Sequence, residues 1–397
     1  MARTQLPPGL PPELTTAKLN EMRGKGDPVA DDAVDAVFES GERDGGDGRG
    51  GVNAVNEMMR KLVRVDQPVP EDLPEEVQDY LEKTLQLPEW ADMDKIERGQ
   101  RLFDEKGFEI TLCLFCASLP SSYAAAKAVQ VLHLTAQLDT NTRRRVLETG
   151  QFLFDVLTVG GLDEDGKGRR TIQKVRLMHA AVRRLIEERN KQQPGLWNPA
   201  WGTPINQEDL AGTLLAFWYV VTDPMYRLSV HLTDEEKEAY LHLWNVIGHQ
   251  LGLRDELRMN NLTQANALVD AIRRRQFKAS PEGQAMTGAL LVLLDQLTPG
   301  HVFDDTIPPL IRRLIGDKTA DLVRVPQSNR VGGLLERTVN WFLVGVFRRG
   351  GRDSERFELN VPFARDLLRA MFELERGGER APFAMPDHLA RSLEPST

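Results

Sequence analysis

Cysteine is nearly absent: Cys113 and Cys116 are the only two in 397 residues, so no disulfide framework holds this chain together. No apolar run approaches the ~20 residues that cross a bilayer, so no membrane span is expected. An excess of basic residues is missing too. The formal net charge is −9, which argues against nucleic acid as the main partner. The N-terminal stretch, Met-Ala-Arg-Thr-Gln-Leu-Pro-Pro-Gly, lacks the charged-then-apolar layout of a signal peptide, and a cytoplasmic location is the expectation. The chain has no Walker loop or Gly-x-Ser-x-Gly elbow, which removes the common P-loop nucleotide and hydrolase readings. None of its seven histidines has glutamate three residues before it, and His-Glu-x-x-His does not occur. A di-iron helical bundle is therefore disfavoured.

Strand signals are scarce as well, and no 20–50-residue repeat is visible. Helical periodicity instead dominates from about residue 52 onward. Helices are expected near 72–85, 90–106, 120–137, 141–158, 169–190, 207–221, 234–251, 263–276, 281–296, 306–316, 331–348 and 361–376. Several carry end signals. Asn206-Gln-Glu-Asp209 is an N-cap with acids in the first turn, Thr233-Asp-Glu-Glu236 is a capping box, and Ser280-Pro281 places proline at a first helical position. Residues 1–52 are rich in Pro, Gly and charge. They read as a flexible arm with at most a short helix near Asp31–Glu39, followed by one all-α domain over 53–380 and a tail over 381–397.

The most informative helix runs from Arg169 to Glu188. Ile172, Val175, Val182 and Ile186 form one apolar stripe, and His179 sits inside it where leucine would be ordinary. Arg176 and Arg183, at i−3 and i+4, flank the imidazole. A buried imidazole left unpaired costs roughly 1–3 kcal/mol. Bonding to a carboxylate or carbonyl is one remedy. Ligation of a metal, as in proximal histidine binding to haem iron, is another, and two arginines would suit a macrocycle with two propionates. Both readings stay open on this pattern.

Two other clusters stand out. Cys113-Leu-Phe-Cys116 has redox or zinc spacing, but no second ligand pair accompanies it and Ala117 stands where covalent haem attachment needs histidine. Two buried, inert thiols are expected. Arg145, Glu148 and Thr149 share one helix face (i, i+3, i+4), which also fits a surface Arg–Glu pair worth at most about 0.5 kcal/mol. Glu238 and His242 read as a local i,i+4 hydrogen bond.

The sequence resembles the latex clearing protein and MpaB-type oxygenase family. The resemblance lies in Ser118-Leu-Pro-Ser-Ser-Tyr-Ala-Ala-Ala-Lys-Ala-Val-Gln-Val-Leu, Arg145-x-x-x-Thr149, Lys174-Val-Arg-Leu-Met-His179-Ala-x-Val-Arg183, Trp201-Gly-x-Pro-Ile-Asn-Gln-Glu-Asp-Leu210 and Leu241-x-x-Trp244-x-x-x-Gly248. These strings run in order over roughly 110–255. The resemblance implies a large helical bundle with a globin-like core, haem b as cofactor, and O2-dependent cleavage of an alkene in a small hydrophobic substrate. It further implies His179 as the iron ligand, Arg176 and Arg183 near the haem, and Arg145, Glu148 and Thr149 on the distal wall. Rubber-cleaving members have Arg-x-x-Lys-Thr there, so Glu148 replaces a lysine. A non-catalytic haem-binding or gas-sensing protein is the alternative class, and a helical protein without cofactor is a third. The sequence sets no oligomeric state.

Overall fold

The computed structural model describes residues 6–44, 50–61, 73–136, 142–297 and 307–327. Among these residues every regular element is a helix, and the one β feature is an isolated bridge between Ala125 and Phe277. The chain runs through α1 (Thr16–Arg23), α2 (Pro28–Asp44), α3 (Gly50–Lys61), α4 (Glu75–Lys83) and α5 (Met93–Cys113). A π-helical turn over Leu114–Ser118 then leads into α6 (Leu119–Tyr123), α7 (Val129–Ala136), α8 (Thr142–Leu157) and α9 (Lys167–Gln192). After these come α10 (Gln207–Arg227), α11 (Asp234–Gln250), α12 (Leu262–Gln276), α13 (Pro281–Leu297), α14 (Ile307–Ile315) and α15 (Asp317–Leu322). The helices expected at 331–348 and 361–376, and the tail over 381–397, lie outside the described residues.

The caps that the sequence marks set the helix starts. Asn206 accepts from Asp209 N at the head of α10. Thr233 and Glu236 close a reciprocal capping box on α11. Ser280 Oγ accepts from Gly283 N at 3.1 Å in the first turn of α13. Two expected helices are altered. The one expected over 90–106 is broken at Lys106 (φ −128, ψ 23) but continues to Cys113. The one expected over 120–137 divides into α6 and α7, because Ala126 N donates to Gln276 O at 3.1 Å and Lys278 N to Ala124 O at 3.0 Å. Those bonds divert backbone groups from helix to a bridge with the end of α12.

A larger correction concerns the expected arm. Residues 14–44 form α1 and α2, with Leu14, Leu19, Met22, Ala30, Ala33, Val34 and Val37 buried. Helix α2 packs on α3, α4 and α9. Its charges are not all solvated. Asp27, just before α2, and Asp31, in its first turn, reach across to arginines of α9.

Helix α10 lies at the centre of the main apolar cluster, against α1, α5, α6, α11, α12 and α14. Helix α9 has two apolar faces. Leu177, Ala180, Ala181 and Leu185 pack into the α2–α4 cluster. Val175 joins the main cluster, whereas Val182 and Ile186 meet Trp197 and Val131. The turn that delivers the chain into α9 is built on close backbone contacts. A Cβ at Gly161 would stand 2.2 Å from Asp155 O, so that position excludes any side chain.

Candidate functional site

Between α8, α9, α10 and α12 lies a cavity of about 400 Å³. Leu132, Phe152, Val175, Val182, Ile272 and Met286 supply much of its apolar wall, and Trp244 and Phe217, stacked with centroids 5.0 Å apart, supply more. His179 opens on it from α9, while Glu148 and Thr149 open on it from α8. The structure therefore brings three of the six candidate residues to one space. The Arg145 side chain lies outside the described residues, although its backbone belongs to α8, one turn before Glu148.

The imidazole of His179 is half-buried and belongs to the cavity lining. Burial, and secondarily the positive Arg183, push its pKa down to about 4. It is thus neutral at physiological pH and keeps a lone pair. None of its hydrogen bonds goes to a described residue.

The two flanking arginines go elsewhere. Arg176 Nε and Nη2 grip the Asp27 carboxylate at 2.6 and 2.8 Å, and Nη1 donates to Gln250 O at 3.2 Å. All three guanidinium nitrogens are occupied, and the side chain does not line the cavity. Gly252 (φ 85) makes room, since a Cβ there would stand 2.5 Å from Asp27 Oδ2. Arg183 Nε donates to Asp31 Oδ1 at 2.7 Å and Nη1 to Ile205 O at 3.2 Å, but its buried Nη2 has no partner among the described residues. Ile205 lines the cavity with φ 51, a left-handed conformation that a β-branched residue adopts only under constraint.

Sequence reasoning missed a buried charge network at another wall. Glu208 and Asp209 look like ordinary first-turn acids, yet both border the cavity. Glu208 is fully buried. It accepts from Arg23 Nη1 at 3.2 Å, Arg275 Nε at 2.6 Å and Gln276 Nε2 at 3.0 Å. Asp209 accepts from Arg23 Nη1 at 2.8 Å and Asn206 Nδ2 at 2.7 Å. Burial raises the Asp209 pKa, and Arg23 opposes that shift. The signals were a pair of acids heading an apolar helix and their place in the Trp201–Leu210 resemblance string.

The remaining motifs do not join the site. Cys113 and Cys116 are buried free thiols. Burial pushes Cys116 up to about 12 and raises Cys113 well above its ordinary value, so neither is a thiolate at neutral pH. His242 Nε2 accepts from Asp92 N at 2.9 Å in place of the expected bond with Glu238.

No group of three or more His, Cys, Asp or Glu side chains is placed to hold a metal ion among the described residues. A lone neutral imidazole is a poor site for a bare ion, but it suits a metal that arrives with its own equatorial ligands, as in haem. Arg183 does not line the cavity, but its Nη2, without a partner among the described residues, is a donor close enough to shift His179 electrostatically. The residues present fit such a group.

The fold and site define an all-α protein in which, among the described residues, one histidine faces a large, mostly apolar cavity. The family model for the catalytic domain of ER-bound oxygenase mpaB/B′/rubber oxygenase matches residues 111–348, more than half of the chain, and the protein belongs to that oxygenase family. It is similar to the rubber oxygenase of Streptomyces sp. (strain K30), with 27% identity over 333 residues, spanning 82% of this chain and 76% of that protein. Its fold is that of latex clearing protein in the closed state. The TM-score is 0.65 at 23% identity, over 94% of this chain and 90% of that one. No helix among the described residues is long and apolar enough to cross a membrane.

Proposed function

We propose that the protein is a haem b-dependent oxygenase that uses O2 to cleave or oxygenate an alkene in an apolar, isoprenoid-like substrate. The observation that carries this reading is the neutral His179 imidazole opening on the cavity without a described hydrogen-bond partner, in a chain of an oxygenase family. When bound, haem supplies the oxygen-activating redox chemistry. The protein supplies placement and surroundings.

His179 would hold the iron through a ring nitrogen, kept in direction by the α9 backbone and by packing on both sides of that helix. Arg183 is the candidate partner for a propionate through Nη2. Arg176 acts behind the site, tying the start of α2 to α9 through Asp27. The apolar walls hold a hydrocarbon chain and exclude water from the reacting end. On α8, Thr149 offers a hydroxyl, Glu148 serves as the acid–base group, and Arg145 is assigned to polarise the oxygen substrate.

His179→Ala tests the assignment. The variant, expressed with adequate haem, should purify without a Soret band while keeping its helical circular dichroism. Normal haem content with an unchanged ligand spectrum would overturn the ligand role. Oxygen uptake with an alkene separates the oxygenase from a haem protein that binds or senses gas without turnover.

A further inference from the structure

Among the described residues, the cavity wall contains one arginine that enters no ion pair. Glu208 and Asp209 are held by Arg23, Arg275 and Gln276. Arg273, two residues before Arg275 on α12, also lines the cavity but enters no hydrogen bond or ion pair with a described residue. Its guanidinium carbon lies 5.6 Å from the ring centre of Tyr219 and 5.5 Å from that of Phe277, another cavity residue. The acids in the area are Asp223, paired with Arg227 at 3.2 Å, and exposed Asp270, one turn earlier on α12 and outside ion-pair distance. Two aromatic faces thus fix the planar group while leaving its N–H donors unused.

An arginine fork held this way beside an apolar cavity has one natural complement. A carboxylate accepts two parallel N–H bonds from it, while an attached hydrocarbon chain occupies the apolar space. A neutral hydrocarbon gains nothing from Arg273. We propose that Arg273 is a head-group site, and that the ligand of this cavity is an amphipathic, unsaturated chain ending in a carboxylate. Calling that ligand the substrate rests on the oxygenase reading above; the binding site itself does not. Since α12 and α8 form different walls, a docked carboxylate sets which carbon of the chain reaches the Glu148 and Thr149 end of the cavity. Cleavage at one fixed position along the chain is then expected.

The test compares oleate with methyl oleate by calorimetric titration of the full chain as purified, below the concentration at which either self-assembles. Oleate should bind at least about tenfold more tightly, as a charge-assisted bidentate contact implies. Arg273→Gln should bring oleate to the affinity of the ester and leave the ester's own affinity unchanged, while Arg273→Lys should recover part of the difference. Equal affinities of acid and ester in the parent would overturn the proposal without recourse to any variant. So would a preference that survives Arg273→Gln. Oxygen uptake on the same samples keeps the two readings apart. An acid preference without uptake from any alkene leaves the head-group site standing and removes the oxygenase reading. Uptake with neutral isoprenoid hydrocarbons and no acid preference does the reverse.

Discussion

Asp27→Asn is the sharpest test of how the site is supported. The substitution keeps shape and removes one charge from a bidentate pair whose side chains are only 7% (Asp27) and 10% (Arg176) exposed. The asparagine oxygen can still accept one bond, so the loss is mainly that of a compensating charge beside a buried guanidinium. Breaking a buried pair from one side costs about 3–5 kcal/mol, and the retained bonds, including Nη1 to Gln250 O, place this case near the lower end, about 3 kcal/mol. Asp79→Asn is the control. Its pair with Lys83 is 55–70% exposed and should cost below about 0.5 kcal/mol. Urea unfolding gives both values, and amide exchange should localise the Asp27→Asn damage to Pro28–Asp44. The double variant with Arg176→Gln should be less destabilised than the sum of the single variants, because the orphaned charge is gone. An Asp27→Asn cost within about 0.5 kcal/mol of zero, or strict additivity in the double variant, would refute the reasoning. Arg176 is also one turn from His179, so haem content should fall in Asp27→Asn while the spectrum of the retained haem stays the same.

Two further outcomes are expected. Glu148→Lys should shift the resting haem spectrum towards a six-coordinate form, and Glu148→Gln should alter rate or pH profile without losing haem. Identical spectra and rates in both would remove Glu148 from the reacting end. Cys113→Ser with Cys116→Ser should leave haem content and activity nearly unchanged, with a stability loss of about 1–3 kcal/mol for two hydroxyls in an apolar site. Loss of haem in a folded double variant would show that the thiols are not inert.

The fold class was legible because an all-α chain repeats its apolar residues with one period throughout. The starts of α10, α11 and α13 were legible because their caps are local. What could not be read depends on partners far along the chain. Asp27 and Asp31 sit in a charged, Gly- and Pro-containing stretch, and nothing local shows that Arg176 and Arg183 lie 149 and 152 residues away as their partners. The break between α6 and α7 falls in Ala124-Ala-Ala, a strong helix former. It is imposed by the bridge to Gln276 and Lys278. His179 was legible because a polar residue in an apolar stripe is a local anomaly. Its flanking arginines, read as neighbours of a cofactor, pair with Asp27 and Asp31, and neither lines the cavity. Spacing fixes where a Cα lies, whereas a long side chain goes where a carboxylate waits.

The stripe of Ile172, Val175, Val182 and Ile186 captures only one side of α9. Leu177, Ala180, Ala181 and Leu185 form a second apolar surface, covered by α2–α4. A helix apolar on both sides is held from both sides, and this is what a helix requires if one of its faces opens on a cavity. The cavity face cannot be clamped by packing where Val175, Met178, His179 and Val182 border open space. Rigidity has to come from behind, and there the N-terminal segment supplies apolar contact together with the Asp27 and Asp31 carboxylates. The stretch that looked most dispensable in the sequence is thus the back wall of the candidate site.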